Sequence, residues 1–215
     1  MTQLAVVRTK EAAVLGVDSM AIQYSDEGEI SYVQNITKLL RLAPDTVVAI
    51  AGSGYGVQLA EQLRHHVRKV GLWRYEDVVR RSVVFLRERL RFLRTKLAFE
   101  SKHPDLERFY FVFCGIDRFA GEKKLPKPEI HVVISEELNQ PATLLEIESV
   151  LTIPRQVSLE YRLMQASMQN RKAKELIRMM LVYFRNLADA VDDVGPPYQF
   201  VVVGRDEVSF DCADS

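Results

Sequence analysis

Residues 1–20 read MTQLAVVRTKEAAVLGVDSM, and two strands are predicted inside them. Leu4–Val7 is an apolar run that begins two residues after Thr2. Thr9-Lys10-Glu11 is a short charged turn, and Ala12–Val17 is a second apolar run that ends on Asp18. Two such runs around a short polar turn read as a β-hairpin. Chain ends are ordinarily loose, so a strand this close to residue 1 pins Thr2. The hairpin also returns Asp18 toward Thr2.

Further strand-like runs lie at 30–42, with interruptions, and at 46–51, with a turn at Ser25-Asp26-Glu27-Gly28. Helical periodicity then takes over. Val57, Leu59, Ala60 and Leu63 predict a helix over about 55–70. Val79, Val83, Leu86, Leu90, Leu93 and Leu97 form a narrow apolar stripe on a long second helix. Strands follow at 108–116, 129–135 and 143–152, and Pro154 breaks the chain. Helices are predicted at 156–168 and 170–190. Gly195-Pro196-Pro197 then turns into the strand QFVVVG, with a last strand at 207–211. Strands and helices in blocks argue for α+β layers: two stacked sheets with a helix pair on each outer face. There is no linker, repeat or low-complexity stretch, so residues 1–215 read as a single domain.

Composition narrows the function. The chain is 47% apolar and 27% charged, which is ordinary for a globular protein. Its formal net charge is zero, so nothing draws it as a whole to nucleic acid or to an anionic membrane. The basic residues Arg80, Arg81, Arg87, Arg89, Arg91, Arg94 and Lys96 on the long helix are interleaved with Glu76, Asp77, Glu88 and Glu100. They read as a solvated or interfacial face, and the stripe beside them suits packing against a neighbouring subunit. Cys114 and Cys212 make no metal or redox motif and are expected to be reduced. His65, His66, His103 and His131 form no ligand cluster, so no metal and no cofactor is expected. No signal peptide and no run of about 18 apolar residues is present, and a cytoplasmic location is expected.

Two stretches carry chemistry. In TVVAIAGSGYGVQLAEQLR, residues 46–64, a strand runs through Gly52-Ser53-Gly54-Tyr55-Gly56 into a helix. Glycine-rich loops at helix N-termini bind phosphates. This one is GxGxG, lacks a following Lys-Ser/Thr, and comes after hairpin-like strands. A tight turn with close helix–sheet packing is the preferred reading, and a nucleotide-binding module is a distant alternative. A further reading makes the Gly52 N–H an oxyanion donor. The other stretch is the N-terminus. An initiator Met before a small residue such as Thr2 is generally removed, which leaves the Thr2 hydroxyl beside its own α-amine. With a reference pKa of about 7.7–8.0, that amine is partly neutral near pH 7–8 and can take the hydroxyl proton. Such chemistry needs a cation, a carboxylate to hold it, and N–H donors. Lys38 lies between apolar neighbours in ITKLLRL, Asp18 ends the hairpin, and Gly52 ends the next strand. Singly, each has an ordinary account as a strand or turn residue.

Together, their order resembles the proteasome β-type family of N-terminal nucleophile hydrolases. Thr2, LAVVRTKEAAVLGVDSMA, ITKLLRL and VVAIAGSGYGVQLAEQLR carry the resemblance, with RFYFVFCGID and DDVGPPYQFVVVGRDEV matching more weakly. With only Met1 before Thr2, the chain looks like the propeptide-less bacterial ATP-dependent members. The resemblance implies a four-layer αββα sandwich. It makes Thr2 the nucleophile, Lys38 the cation, Asp18 its partner, Gly52 the oxyanion donor and Asp192 a supporting carboxylate. It implies a substrate pocket lined by Ala21, Ile36, Leu40, Ile50, Gly54 and Gln58, apolar enough to prefer a medium-to-large apolar residue before the cut. It also implies peptide or unfolded-protein substrates and a homo-oligomeric ring or stack, with room for an ATP-dependent unfoldase partner. The function implied is that of a threonine peptidase subunit, the alternative being a non-catalytic scaffold or regulatory subunit. The family's Ser-Gly pair is replaced here by Pro154-Arg155-Gln156, and its serine after the supporting Asp by Gly195.

Overall fold

The computed structural model describes residues 2–24, 30–100, 108–116, 118, 126–137 and 140–213. The N-terminal hairpin forms as its alternation predicts, from β1 (Leu4–Arg8) and β2 (Ala12–Val17), with Leu4 opposite Val17 and Val7 opposite Val14. β1 is not an edge. Its other side pairs with β10 (Val150–Ile153), Leu4 against Ile153. β11 (Tyr198–Gly204) and β12 (Val208–Ala213) complete this sheet, in the order β10-β1-β2-β11-β12. The second sheet has the order β5-β6-β7-β8-β9: Leu39–Ala43, Thr46–Gly52, Phe109–Ile116, Pro128–Ser135 and Thr143–Glu146. A separate ribbon pairs β3 (Ala21–Tyr24) with β4 (Ile30–Val33). All strand pairs are antiparallel.

Both faces of each sheet are covered, which is why the strands read as nearly continuous apolar runs and not as clean alternation. Between the sheets, Leu4, Val6, Leu15 and Val17 meet Val47, Ala49, Val112, Ile130 and Val132. On one outer face Ala5, Val7, Val14 and Phe200 pack under α3 (Val157–Met168) and α4 (Ala173–Ala188), against Leu163, Met180 and Phe184. On the other, Val48, Ile50, Phe111 and Phe113 pack under α1 (Tyr55–Val70) and α2 (Tyr75–Glu100), against Leu63, Val83 and Leu86. The architecture is therefore a four-layer αββα sandwich.

Several expectations need correction. The predicted strand at 143–152 is two strands in different sheets, β9 and β10, because the chain crosses between the sheets at 147–149. The interrupted strand at 30–42 is β4 and β5, and residues 34–38 lie outside both ladders. Lys38 therefore precedes a strand and does not sit within one. The stripe on α2 is not left for a neighbouring subunit. Val79, Val83, Leu86 and Leu90 are buried within the chain, against α1 and the second sheet. The turn at Ser25–Gly28 lies outside the described residues. Among the described residues no helix is long and apolar enough to cross a membrane.

Candidate active site

Thr2 stands at the head of β1, only 8% exposed. At the same end of the sheet Asp18 leaves β2, and the two strands are tied beyond their ladder. Asp18 N–H donates to the Gln3 carbonyl (3.1 Å), and Gln3 N–H donates to Asp18 Oδ1 (2.8 Å). Met20 N–H donates to Asp18 Oδ2 (2.9 Å), so both carboxylate oxygens are held by backbone. Asp18 is 0% and Lys38 3% exposed. Lys38 Nζ lies 3.2 Å from each Asp18 oxygen, donates to Thr2 Oγ1 at 2.8 Å, and also donates to the Met20 carbonyl. An ammonium has three hydrogens, and here they face Thr2, Asp18 and Met20.

Burial pulls the two charged groups toward each other in proton affinity. Desolvation raises the Asp18 pKa, opposed by the Lys38 charge and the bonds from Gln3, Met20 and Lys38. Desolvation lowers the Lys38 pKa, opposed first by Asp18 and more weakly by Asp193. A buried ion pair is rarely a net gain in stability, and its persistence beside a reachable hydroxyl marks a functional-site candidate.

Gly52 ends β6 at a φ of +91°, a left-handed conformation that glycine alone adopts freely. A Cβ there would overlap the Arg108 carbonyl. Its N–H direction follows from ladder alternation. Ser53 N–H donates to the Arg108 carbonyl (2.8 Å), which makes 53 and 108 a hydrogen-bonded pair, so 52 and 109 are not one. The Gly52 N–H therefore points away from β7, to the side of Lys38, whose carbonyl takes the Ile50 N–H at 2.9 Å. There the chain before Lys38 has already left the ladder, and a small cavity of about 70 Å³ opens. Thr2, Met20, Ala21, Lys38, Ile50, Ala51, Gly52, Ser53, Gly54 and Val57 line it.

The structure thus brings Thr2, Asp18, Lys38 and Gly52 together, with Ala21, Ile50 and Gly54 around the cavity. Other candidates lie elsewhere. Leu40 shares a face with Lys38 and Ile50, as register predicts, but packs one row deeper against the helices. Ile36 is half-buried in the irregular segment before β5, and Gln58 is exposed on α1. Asp192 is exposed, and after Asp18 the carboxylate whose charge bears on Lys38 is its neighbour Asp193. Where the resembled family has a serine, a Cβ on Gly195 would meet Met20 Cε at 2.7 Å. The glycine-rich loop is a turn closed on itself. Gly56 N–H donates to the Ser53 carbonyl and Tyr55 N–H to Ser53 Oγ, and β6 pairs only antiparallel, which does not suit a βαβ phosphate loop.

The layers and their order are those of the four-layer αββα sandwich of the N-terminal nucleophile hydrolase fold. The chain is similar in structure to Anbu from Hyphomicrobium sp. strain MC1, at a TM-score of 0.70 and 14% identity, over 100% of this chain and 88% of that one. A Gly-1 mutant of the same protein matches at a TM-score of 0.70 and 15% identity, with the same coverage. No family model matches the sequence, and no curated protein matches it. These findings correct the resemblance to the proteasome β-type family and its propeptide-less bacterial peptidases. Both of these solved structures are of Anbu, and identity this low carries the fold alone. The order of motifs in the first 65 residues reports the layers that must be built, which chains of very different sequence share.

Proposed function

We propose that the chain is a threonine hydrolase that cleaves peptide bonds through an acyl-enzyme on Thr2, once removal of Met1 frees its α-amine. The observation that carries this reading is the 2.8 Å contact from a buried, Asp18-held Lys38 to Thr2 Oγ1, beside a cavity. In the proposed reaction the neutral α-amine takes the Oγ1 proton as Oγ1 attacks the substrate carbonyl carbon. The carbonyl oxygen gains the electron pair and meets the Gly52 N–H. The C–N bond then breaks as the amine-held proton passes to the leaving nitrogen. Water adds to the ester, releasing the acid and restoring the hydroxyl. Lys38 stabilises the alkoxide character of Oγ1, and Asp18 fixes Lys38. Peptides or unfolded chains are the proposed substrates. A homo-oligomeric ring or stack, served by an unfoldase, is the proposed setting.

A second reading, a non-catalytic scaffold on the same fold, is favoured by one observation. Pro154-Arg155-Gln156 and Gly195 place no hydroxyl where the resembled family has serines. One experiment separates the two. Intact mass is measured with and without a threonine-directed electrophile, on the wild type and on Thr2→Ala. A peptidase loses Met1 and gains one probe mass, and Thr2→Ala lowers acylation by roughly 10⁴-fold or more while shifting the denaturant midpoint little. Met1 loss with no labelling supports the scaffold, and labelling that survives Thr2→Ala overturns the assignment of Thr2.

A further inference from the structure

Lys38 reaches Thr2 from the segment before β5, an edge strand that has β6 on one side, where the Lys38 carbonyl takes the Ile50 N–H, and no described strand on the other. Residues 34–38 leave the ladder, and Asn35 adopts a left-handed φ of 63°. The side chain of Gln199, on β11 of the other sheet, meets this segment. Its Oε1 accepts the Lys38 N–H (3.1 Å), and its Nε2 donates to the Ile36 carbonyl (2.7 Å). A primary amide has one C=O and two N–H groups, and the third contact is Nε2 to Ser19 Oγ at 2.8 Å. Bonding the C=O of one residue and the N–H two residues on is what a neighbouring parallel strand would do around Thr37. The Gln199 amide replaces that missing strand.

The same side chain also fixes the carboxylate's corner. Ser19 follows Asp18. Its N–H donates to the Gly195 carbonyl (3.2 Å), its Oγ donates to the Pro197 carbonyl, and its own carbonyl accepts the Ile36 N–H (3.0 Å). Gln199 therefore touches both the segment bearing Lys38 and the residue beside Asp18, though it touches none of the reacting atoms. Its place in the fold is unusual for a polar residue. Val201 and Val203, two and four residues on, lie in the apolar layer between the sheets, while Tyr198 and Phe200 face the helices.

We infer that Gln199 is a positioning residue, whose amide sets the distance between Lys38 and Thr2 by splinting residues 36–38 to Ser19. The inference rests on the proposed threonine chemistry for its kinetic consequence, but not for its structural one. Gln199→Met keeps the length and removes the amide. Gln199→Glu keeps the acceptor for Lys38 N–H, loses the donors, and adds a negative charge near the Lys38–Asp18 pair.

Three measurements are made on the Met1-processed chain. With a threonine-directed probe, Gln199→Met lowers the maximal acylation rate about 10- to 100-fold at unchanged probe affinity, the scale expected of misplaced reacting groups. In Gln199→Glu the alkaline fall of acylation, where Lys38 loses its proton, moves to higher pH because the added charge favours the cation. A residue that only supports the fold leaves the acylation rate per folded molecule of Gln199→Met unchanged. Amide hydrogen exchange at Lys38 is faster in Gln199→Met than in the wild type. A wild-type rate per folded molecule in Gln199→Met, or an unmoved alkaline limb in Gln199→Glu, overturns the kinetic claim. If the wild type itself does not label, the threonine chemistry fails and exchange decides alone: unchanged protection of Lys38 then overturns the positioning claim too.

Discussion

Two polar clusters among the described residues differ in one respect that matters. At one end Lys38, Asp18 and Thr2 share hydrogen bonds next to open space. On the outer face of the second sheet, Tyr75 at the start of α2 is fully buried. Its hydroxyl lies 2.9 Å from His131 Nδ1 and 3.4 Å from the Phe113 carbonyl. Tyr75 is closed in: a Cβ on Gly115 would overlap its ring. The second cluster is held neutral. Burial raises the Tyr75 pKa and lowers that of His131, and Glu146 and Glu76 oppose the second shift without reversing it. The first holds opposite charges at a cost and exposes a hydroxyl to a cavity. Burial of polar groups alone does not mark a site. A buried charge pair aimed at reachable space marks a candidate.

The sharpest way to break this comparison is to remove one charge from the ion pair. Lys38→Met leaves Asp18 buried and unpaired, which costs about 3–5 kcal/mol of stability as well as abolishing acylation. The double variant Lys38→Met/Asp18→Leu recovers most of that stability and none of the acylation. Chemical denaturation beside probe labelling reads both. A single variant that folds at wild-type stability would mean that the pair is not buried as described.

The cavity gives the next largest effect. It is lined mainly by Met20, Ala21, Ile50, Ala51 and Val57, and about 70 Å³ is roughly half of a cavity that holds benzene (~150 Å³). Cleavage after Ala or Val is therefore expected to exceed cleavage after Leu or Phe by about tenfold, contrary to the larger residue that the sequence suggests. A fluorogenic peptide panel varied only at that position checks it, and faster cleavage after Phe would show that the cavity widens or is not the pocket.

The smallest effect belongs to the Tyr75–His131 cluster. Tyr75→Phe removes one hydrogen bond and is expected to cost about 1 kcal/mol with acylation unchanged. Its pH signature has a definite sign. The native pKa of His131 is depressed, so below 6.5 the unfolded chain takes up a proton that the native chain does not. This contribution to stability is full above 6.5 and is lost as pH falls toward the native value. His131→Asn should flatten that acid limb in urea melts across pH 5–7. An unaltered limb would place the titration elsewhere.

The layers are legible in the sequence because burial on both faces writes long apolar runs, and helices write a 3.6-residue period. Lys38 stands out because a lysine among Ile36, Leu39 and Leu40 is out of place. What the sequence does not settle depends on loop conformation. Asp192 and Asp193 are adjacent, and only the backbone decides which one Lys38 feels. The Met20 carbonyl is a backbone group and has no residue-type signal. For Leu40 the sequence points to the correct face but the wrong depth, since alternation gives side and not row. Gln199 does have a signal, a polar residue on the inner row of QFVVVG, but its meaning requires the irregular segment before β5.

The two sheets also differ in how far along the chain their strands must travel to meet. The second sheet is built from neighbours in sequence, β5 to β9, each paired with the next. The first joins β1 and β2 to β10 and β11, which leave the ribosome more than 130 residues after them. Long-range pairings of this kind are slow to close. During translation the helix-backed second sheet has all its strands while the first still lacks three, β10, β11 and β12. Thr2 is then at the tip of an unfinished sheet. Its neighbours Ser19 and Lys38 still lack Gln199, so the site is completed only after β11 has been made.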